Sequence, residues 1–302
     1  MGDITLIHMK AARKAVLPLA IAFSVALIAS ASPASAAGPR ENWAGASSPY
    51  FEKVPSSNEL TTRVPSGGSL DGNTARLRLK ARPGTGPDAG IQISTTTARQ
   101  FGSYATRMKS ANCAGQDHVG VVTGAFTYSG DHSDSNGNGV PDNGEIDIEW
   151  LCAQPEVVYL TIWTDYSEAD ESLRKVSRVI DLRAGRILST CFSTFFGDCQ
   201  SVSAAENSPS SVPAISGYDS SAEFFEYGFD WSASGVTYYL VNRGGQRVTL
   251  WDYHGPASRI PTKSAQFLQN VWHSNNWDPI GFEARNQPTA DVDSYVDWTQ
   301  LP

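Results

Sequence analysis

The sequence predicts an all-β chain folded as a sandwich of antiparallel sheets. Short segments whose apolar residues fall at alternate positions recur along it, and runs of Gly, Pro, Asn and Ser separate them. Once an N-terminal leader is set aside, roughly 266 of the 302 residues remain, a length common for a single all-β domain. No second long apolar stretch suggests a membrane span.

The leader comes first. Lys10, Arg13 and Lys14 precede a mostly apolar run from Ala15 to Ala31 and then the small-residue site Ala34-Ser35-Ala36. The run is short, contains Pro18 and leads straight into an A-x-A site, the pattern of a secretory signal peptide rather than an anchor. Residues 1–36 are therefore expected to be a signal peptide and the protein to be secreted, with 37–55 as an entry segment and 56–302 as the domain.

The strands follow in order. Glu59 to Arg63 supplies a first one, and Ala75 to Lys80 alternates apolar with basic, as a half-buried strand with one wet face does. Arg82 to Gly90 is Pro/Gly punctuation before a strand at Ile91 to Thr95. In Val119 to Gly124 the glycines Gly120 and Gly124 leave room for another backbone or a ligand to come close. Val157 to Tyr166 and Lys175 to Asp181 read as strands, and Ser201 to Ser220 as a long loop without evident chemistry. Val236 to Val241 leads into a hairpin turn at Arg243-Gly244-Gly245-Gln246.

The net charge of −8 includes a leader with three cations and one acid, so the mature chain carries about −10. An acidic chain without a Lys/Arg cluster is poorly suited to nucleic acid, anionic membranes or sulfated polysaccharide. A neutral substrate fits better. Four cysteines in an exported chain point to disulfides, for which the sequence permits three pairings. Cys191 with Cys199 would close a short loop, and Cys113 with Cys152 would tie a strand end to a neighbouring loop; these are the pairs we favour. Their spacing does not suit zinc. Asp134, Asn136, Asn138 and Asp142 offer oxygen donors around the turn at Gly139, a pattern that suits a structural calcium loop and a solvated Asx-rich turn equally.

The stretch Gly144-Glu145-Ile146-Asp147-Ile148-Glu149-Trp150 alternates acids with isoleucines, so three carboxylates share one face of a strand. Folding gains nothing from this, because crowded like charges repel. Crowding does separate their pKa values, so that one group can remain an acid while another is an ionised nucleophile. Retaining glycoside hydrolysis uses such a pair, with carboxyl groups about 5 to 5.5 Å apart. Positions i and i+4 on a strand lie about 13 Å apart at the Cα atoms, so the two Glu side chains must lean inward over the shorter Asp.

The string GEIDIEW resembles the E-x-D-x-E signature of family-16 glycoside hydrolases. The resemblance implies a β-jelly-roll with a concave substrate cleft, Glu145 as nucleophile, Asp147 as its assistant and Glu149 as acid/base. It extends from Phe101-Gly102 with Arg107 and Lys109, where Phe101 replaces the family's usual Tyr, through Phe224 to Trp231, to Phe267–Trp272 and Ser294–Trp298. It implies Tyr159, Thr161, Trp163, Asn270 and Trp272 as substrate contacts. Sugar C–H faces stack on flat aromatics and sugar hydroxyls need polar partners, which suits these residue types. Phe229 and Trp231 are assigned to packing, and His273 to the rim, held by a hydrogen bond. Asp297 stands where some relatives bind a structural calcium. The expected activity is endo-hydrolysis of a neutral β-linked polysaccharide by a secreted monomer that needs no cofactor for chemistry. A β-glucan, mixed-linkage 1,3-1,4 or 1,3, is expected; the signature lacks the inserted residue that many β-1,3-glucanases carry and so looks more like the mixed-linkage glucanase and xyloglucan-active branches, although Asn143 stands where mixed-linkage enzymes often have an aromatic. Transglycosylation on the same site, or lectin-like binding without catalysis, are the alternatives.

Overall fold

A computed structural model describes residues 38–130, 133–134, 137–167, 172–195, 197–277 and 283–302. The predicted signal peptide lies outside the described residues. Among the described residues sixteen strands succeed one another: β1 (Arg40–Glu41), β2 (Phe51–Lys53), β3 (Glu59–Thr61), β4 (Ala75–Leu79), β5 (Gly86–Thr95), β6 (Gly102–Lys109), β7 (Val121–Ser129) and β8 (Gly144–Leu151), then β9 (Val157–Ser167), β10 (Ser172–Asp181), β11 (Arg186–Phe195), β12 (Phe225–Ser232), β13 (Gly235–Val241), β14 (Arg247–Tyr253), β15 (Gln266–His273) and β16 (Val292–Gln300). They form two eight-stranded sheets with only antiparallel pairs between strands. One runs β14-β13-β12-β6-β16-β4-β3 with β1 also on β16, and the other runs β11-β10-β9-β8-β7-β15-β5-β2. The fold is the predicted jelly-roll sandwich.

Alternation decides which face each residue takes. Ile146, Ile148 and Trp150 of β8 are buried in the core with Leu160 and Ile162 of β9, Val121 and Ala125 of β7, and Phe229 and Tyr238 of the opposite sheet. Trp150 donates to the Tyr218 hydroxyl at 3.2 Å, and Trp231 donates to the Pro261 carbonyl at 2.9 Å, so these two buried indole N–H groups are paired. The acids on the intervening positions of β8 are thereby turned to the open face of the second sheet. No register shift interrupts β8 against β7 or β9, as the unbroken signature implies.

The entry segment is woven into the sandwich: β1 pairs with the end of β16, and β2 with β5. The punctuation expected from Arg82 to Gly90 is shorter than predicted. β5 starts at Gly86, because β15 reaches that residue through an irregularity between Val271 and His273. β11 was not anticipated. It is an edge strand rich in Ser and Thr, and its pairing with β10 decides its conformation. Both favoured disulfides are present, Cys113–Cys152 at a sequence separation of 39 and Cys191–Cys199 at one of 8. Among the described residues no helix is long and apolar enough to cross a membrane.

Candidate active site

Register assembles the site. Glu145 stands opposite Trp163, Asp147 opposite Thr161 and Glu149 opposite Tyr159, so the three residues predicted on β9 share the face of the acids. On the other side Gly124 lies between Glu149 and Asn270 in one row across β8, β7 and β15. A Cβ on Gly124 would come 2.7 Å from Asn270 Oδ1, so the glycine is what allows that amide to sit beside the acid. Trp272, one alternation further along β15, joins the same face.

Asp147 is buried, at 3% exposure, while Glu145 and Glu149 keep part of their surface accessible. Trp163 Nε1 donates to Asp147 Oδ2 at 2.9 Å, and Oδ1 receives no hydrogen bond from any described N–H or O–H. Burial raises the pKa of all three acids: Glu145 to about 7, Glu149 to about 8, and Asp147 well above the usual carboxylate range. The hydrogen bond between Asp147 and Glu145 acts in opposite senses on the two, raising Asp147 and lowering Glu145. The contact between the two thus favours the ionised form of Glu145 over that of Asp147. Glu149 is pushed up by burial and by the charge of Glu145 and is pulled back by Lys175. The three acids thus sit in different environments, Glu145 drawn down by Asp147 and Glu149 by Lys175 against the burial that raises all of them.

The aromatic contacts differ in character. Trp163 is half-exposed, meets Tyr166 edge-on at 5.6 Å and offers a ring beside the nucleophile position. Tyr159 shares the acid-bearing face but is only 3% exposed, donates to Gln154 at 2.6 Å and packs edge-on against Trp277 at 5.5 Å. Trp277 also meets Trp272, at 6.1 Å, and with Val122, Leu151 and Val179 they form a small apolar cluster at the Glu149 end. Sequence reasoning missed Trp277 because no strand pattern carries it. It missed Tyr128, opposite Glu145, and Lys175, opposite Trp163, because both looked like ordinary strand residues.

His273 is not at the rim. It shares the parity of the buried Val271, is 1% exposed, and lies between the carbonyls of Gly84 and Arg285 at 2.9 and 3.2 Å. The residues proposed for calcium are committed to other partners. Asp134 accepts from the backbone of Asn138 and Gly139 at 3.0 and 2.8 Å, Asn138 donates to Asp165 at 2.9 Å, and Asp142 lies 3.6 Å from Lys263. Asn136 lies outside the described residues. Asp297 forms an ion pair with Arg107 and accepts from the Leu70 amide, on the other sheet. Among the described residues no three His, Cys, Asp or Glu side chains converge as a metal site.

Residues 58–179 match the family model for glycosyl hydrolases family 16. Among solved structures, the chain resembles Bacillus licheniformis β-glucanase at TM-score 0.51 and 17% identity, covering 87% of this chain and 97% of that one. A prokaryotic β-1,3-1,4-glucanase (lichenase) from a mouse hindgut metagenome gives TM-score 0.51 at 17% identity, over 87% and 98%. A Bacteroides ovatus family-16 protein from a mixed-linkage glucan locus, in complex with a G4G4G3G product, gives TM-score 0.51 at 12% identity, over 87% and 99%. At these identities the likeness is one of fold. No curated protein matches the sequence.

Proposed function

Because the chain is a glycoside hydrolase of family 16, matched over residues 58–179 and folded as a two-sheet jelly roll, we propose that it is a secreted, retaining endo-β-glycosidase acting on a neutral β-glucan. The observation that carries the reading is the trio Glu145, Asp147 and Glu149 on one face of β8, with Trp163 bonded to Asp147. Glu145 attacks the anomeric carbon while Glu149 gives its proton to the departing glycosidic oxygen; that C–O bond breaks and a covalent glycosyl-enzyme forms. Water then attacks the same carbon, Glu149 takes its proton as base, and Glu145 leaves as carboxylate. Asp147 holds the nucleophile oriented and ionised between steps. Trp163, Thr161, Asn270 and Trp272 border the sugar.

The β-glucan assignment draws on the unbroken strand and on the fold neighbours, whose names include β-glucanase and lichenase. Secretion draws on the leader sequence and the two disulfides. The test is stereochemical. NMR of the first products from lichenan or barley β-glucan should show the β-anomer before mutarotation, and Glu145→Gln should abolish turnover with the fold intact. Initial α-anomer, or ordinary activity in that variant, would refute the assignment.

A further inference from the structure

We propose that Lys175 is a positioning residue of this site: an ammonium on the acid-bearing face, over the Trp163 ring that is bonded to Asp147, that sets where the pH window of the reaction lies. The proposal rests on the reading of Glu145, Asp147 and Glu149 as the reacting acids.

The charge-rich region around β10 carries three cations with different fates. Arg174 pairs with Asp165 at 3.2 Å. Arg178 turns inward, fully buried, and donates to Thr190, Asn207 and the carbonyls of Ser208, Pro209 and Leu250. Lys175 alternates with both onto the open face, in register with Trp163 and, beyond it, Glu145. Its Nζ lies 5.2 Å from the centre of the Trp163 ring, the ring whose N–H is bonded to Asp147. Among the described residues it forms no ion pair and no hydrogen bond, so its charge is not spent on one partner. A flexible ammonium would gain more in water, and the cation–π contact is what keeps it on this face.

The surroundings are otherwise short of positive charge. β8 offers the three acids, β7 offers Tyr128, and β9 offers Tyr159, already donating to Gln154. β11 places Ser193 and Cys191 beside β10, β15 supplies Asn270, and Arg186, at the far end of the face, is 3.7 Å from Asp181. Among the described residues Lys175 is therefore the cation nearest in register to the trio. Burial lowers its own pKa, while Glu149 and Asp147 hold it up; reciprocally, its charge pulls Glu149 down against burial and against Glu145.

The sign follows. Removing the cation makes every nearby carboxylate harder to ionise, so both limbs of the pH profile of kcat/KM should move to higher pH. Lys175→Met and Lys175→Gln are compared with wild type on soluble β-glucan from pH 4 to 10, with Lys175→Arg as the charge-keeping control. Two uncharged variants guard against a folding defect in either one. The expected result is an upward displacement of the bell by about one pH unit in both uncharged variants, the scale of one nearby opposite charge, with Arg restoring the wild-type position. A bell that stays in place while kcat falls would make Lys175 merely structural. A rise in KM alone would make it a direct sugar contact. Either outcome overturns the proposal. Glu145→Gln in the same series separates the two readings: if it is inactive and the Lys175 bell is unmoved, only the role of Lys175 fails, whereas an active Glu145→Gln removes the trio itself.

Discussion

Trp163→Phe isolates one hydrogen bond in the site. The substitution keeps a flat ring on β9 and removes the N–H that reaches Asp147 Oδ2 at 2.9 Å. Asp147 is 3% exposed and its other oxygen receives no hydrogen bond, so water does not readily replace the lost donor. Leaving such a buried acceptor unpaired costs about 1 to 3 kcal/mol. The contact also restrains Asp147 from protonating further, so the pKa of Asp147 rises when it is lost. If Asp147 is mispositioned in the transition state by that amount, kcat/KM falls between about fivefold and a hundredfold, at about 1.4 kcal/mol per factor of ten. The weaker cation–π contact of Lys175 with Phe adds about 0.5 kcal/mol or less to the loss. The assay is reducing-sugar release from barley β-glucan across pH, with the melting temperature measured alongside. A variant that melts near wild type and retains kcat/KM within twofold would refute the argument that Trp163 acts through Asp147.

Gly124→Ala should keep the fold but push Asn270 aside, since the added methyl would lie 2.7 Å from its Oδ1; activity should fall by about tenfold or more while the circular dichroism spectrum is unchanged. Glu149→Gln should melt above wild type near pH 8, with the gap narrowing toward pH 5. The folded pKa of Glu149 is raised to about 8, so the folded state binds the extra proton between the unfolded pKa and that value, and stability falls as pH rises through this window. Arg178→Met should cost about 3 kcal/mol in urea unfolding, because it strips donors from three carbonyls, that of Leu250 buried, and from two side chains that Arg178 satisfies. Kinetics of that variant, measured well below its melting temperature, should match wild type.

The sequence by itself determined the fold class, the acid-bearing strand and the chemistry it suggests. Strand alternation is a local property, so the pattern from Glu145 to Glu149 names its own face, and Ile146 and Ile148 are buried for the same reason that the acids are not in the core. Tertiary structure decided what lies beside that face. Lys175 and Tyr128 reach the acids only through cross-strand register, which no window of sequence contains, and Trp277 reaches Tyr159 from outside any strand. Register also turned His273 inward, although a histidine after the tryptophan of β15 suggested the rim. In the loop from Asp134 to Asp142, only tertiary placement shows that Asn138 donates to Asp165 and that Asp142 lies beside Lys263. Residue spacing specifies which groups can share a face; pairing between distant strands specifies which of them meet.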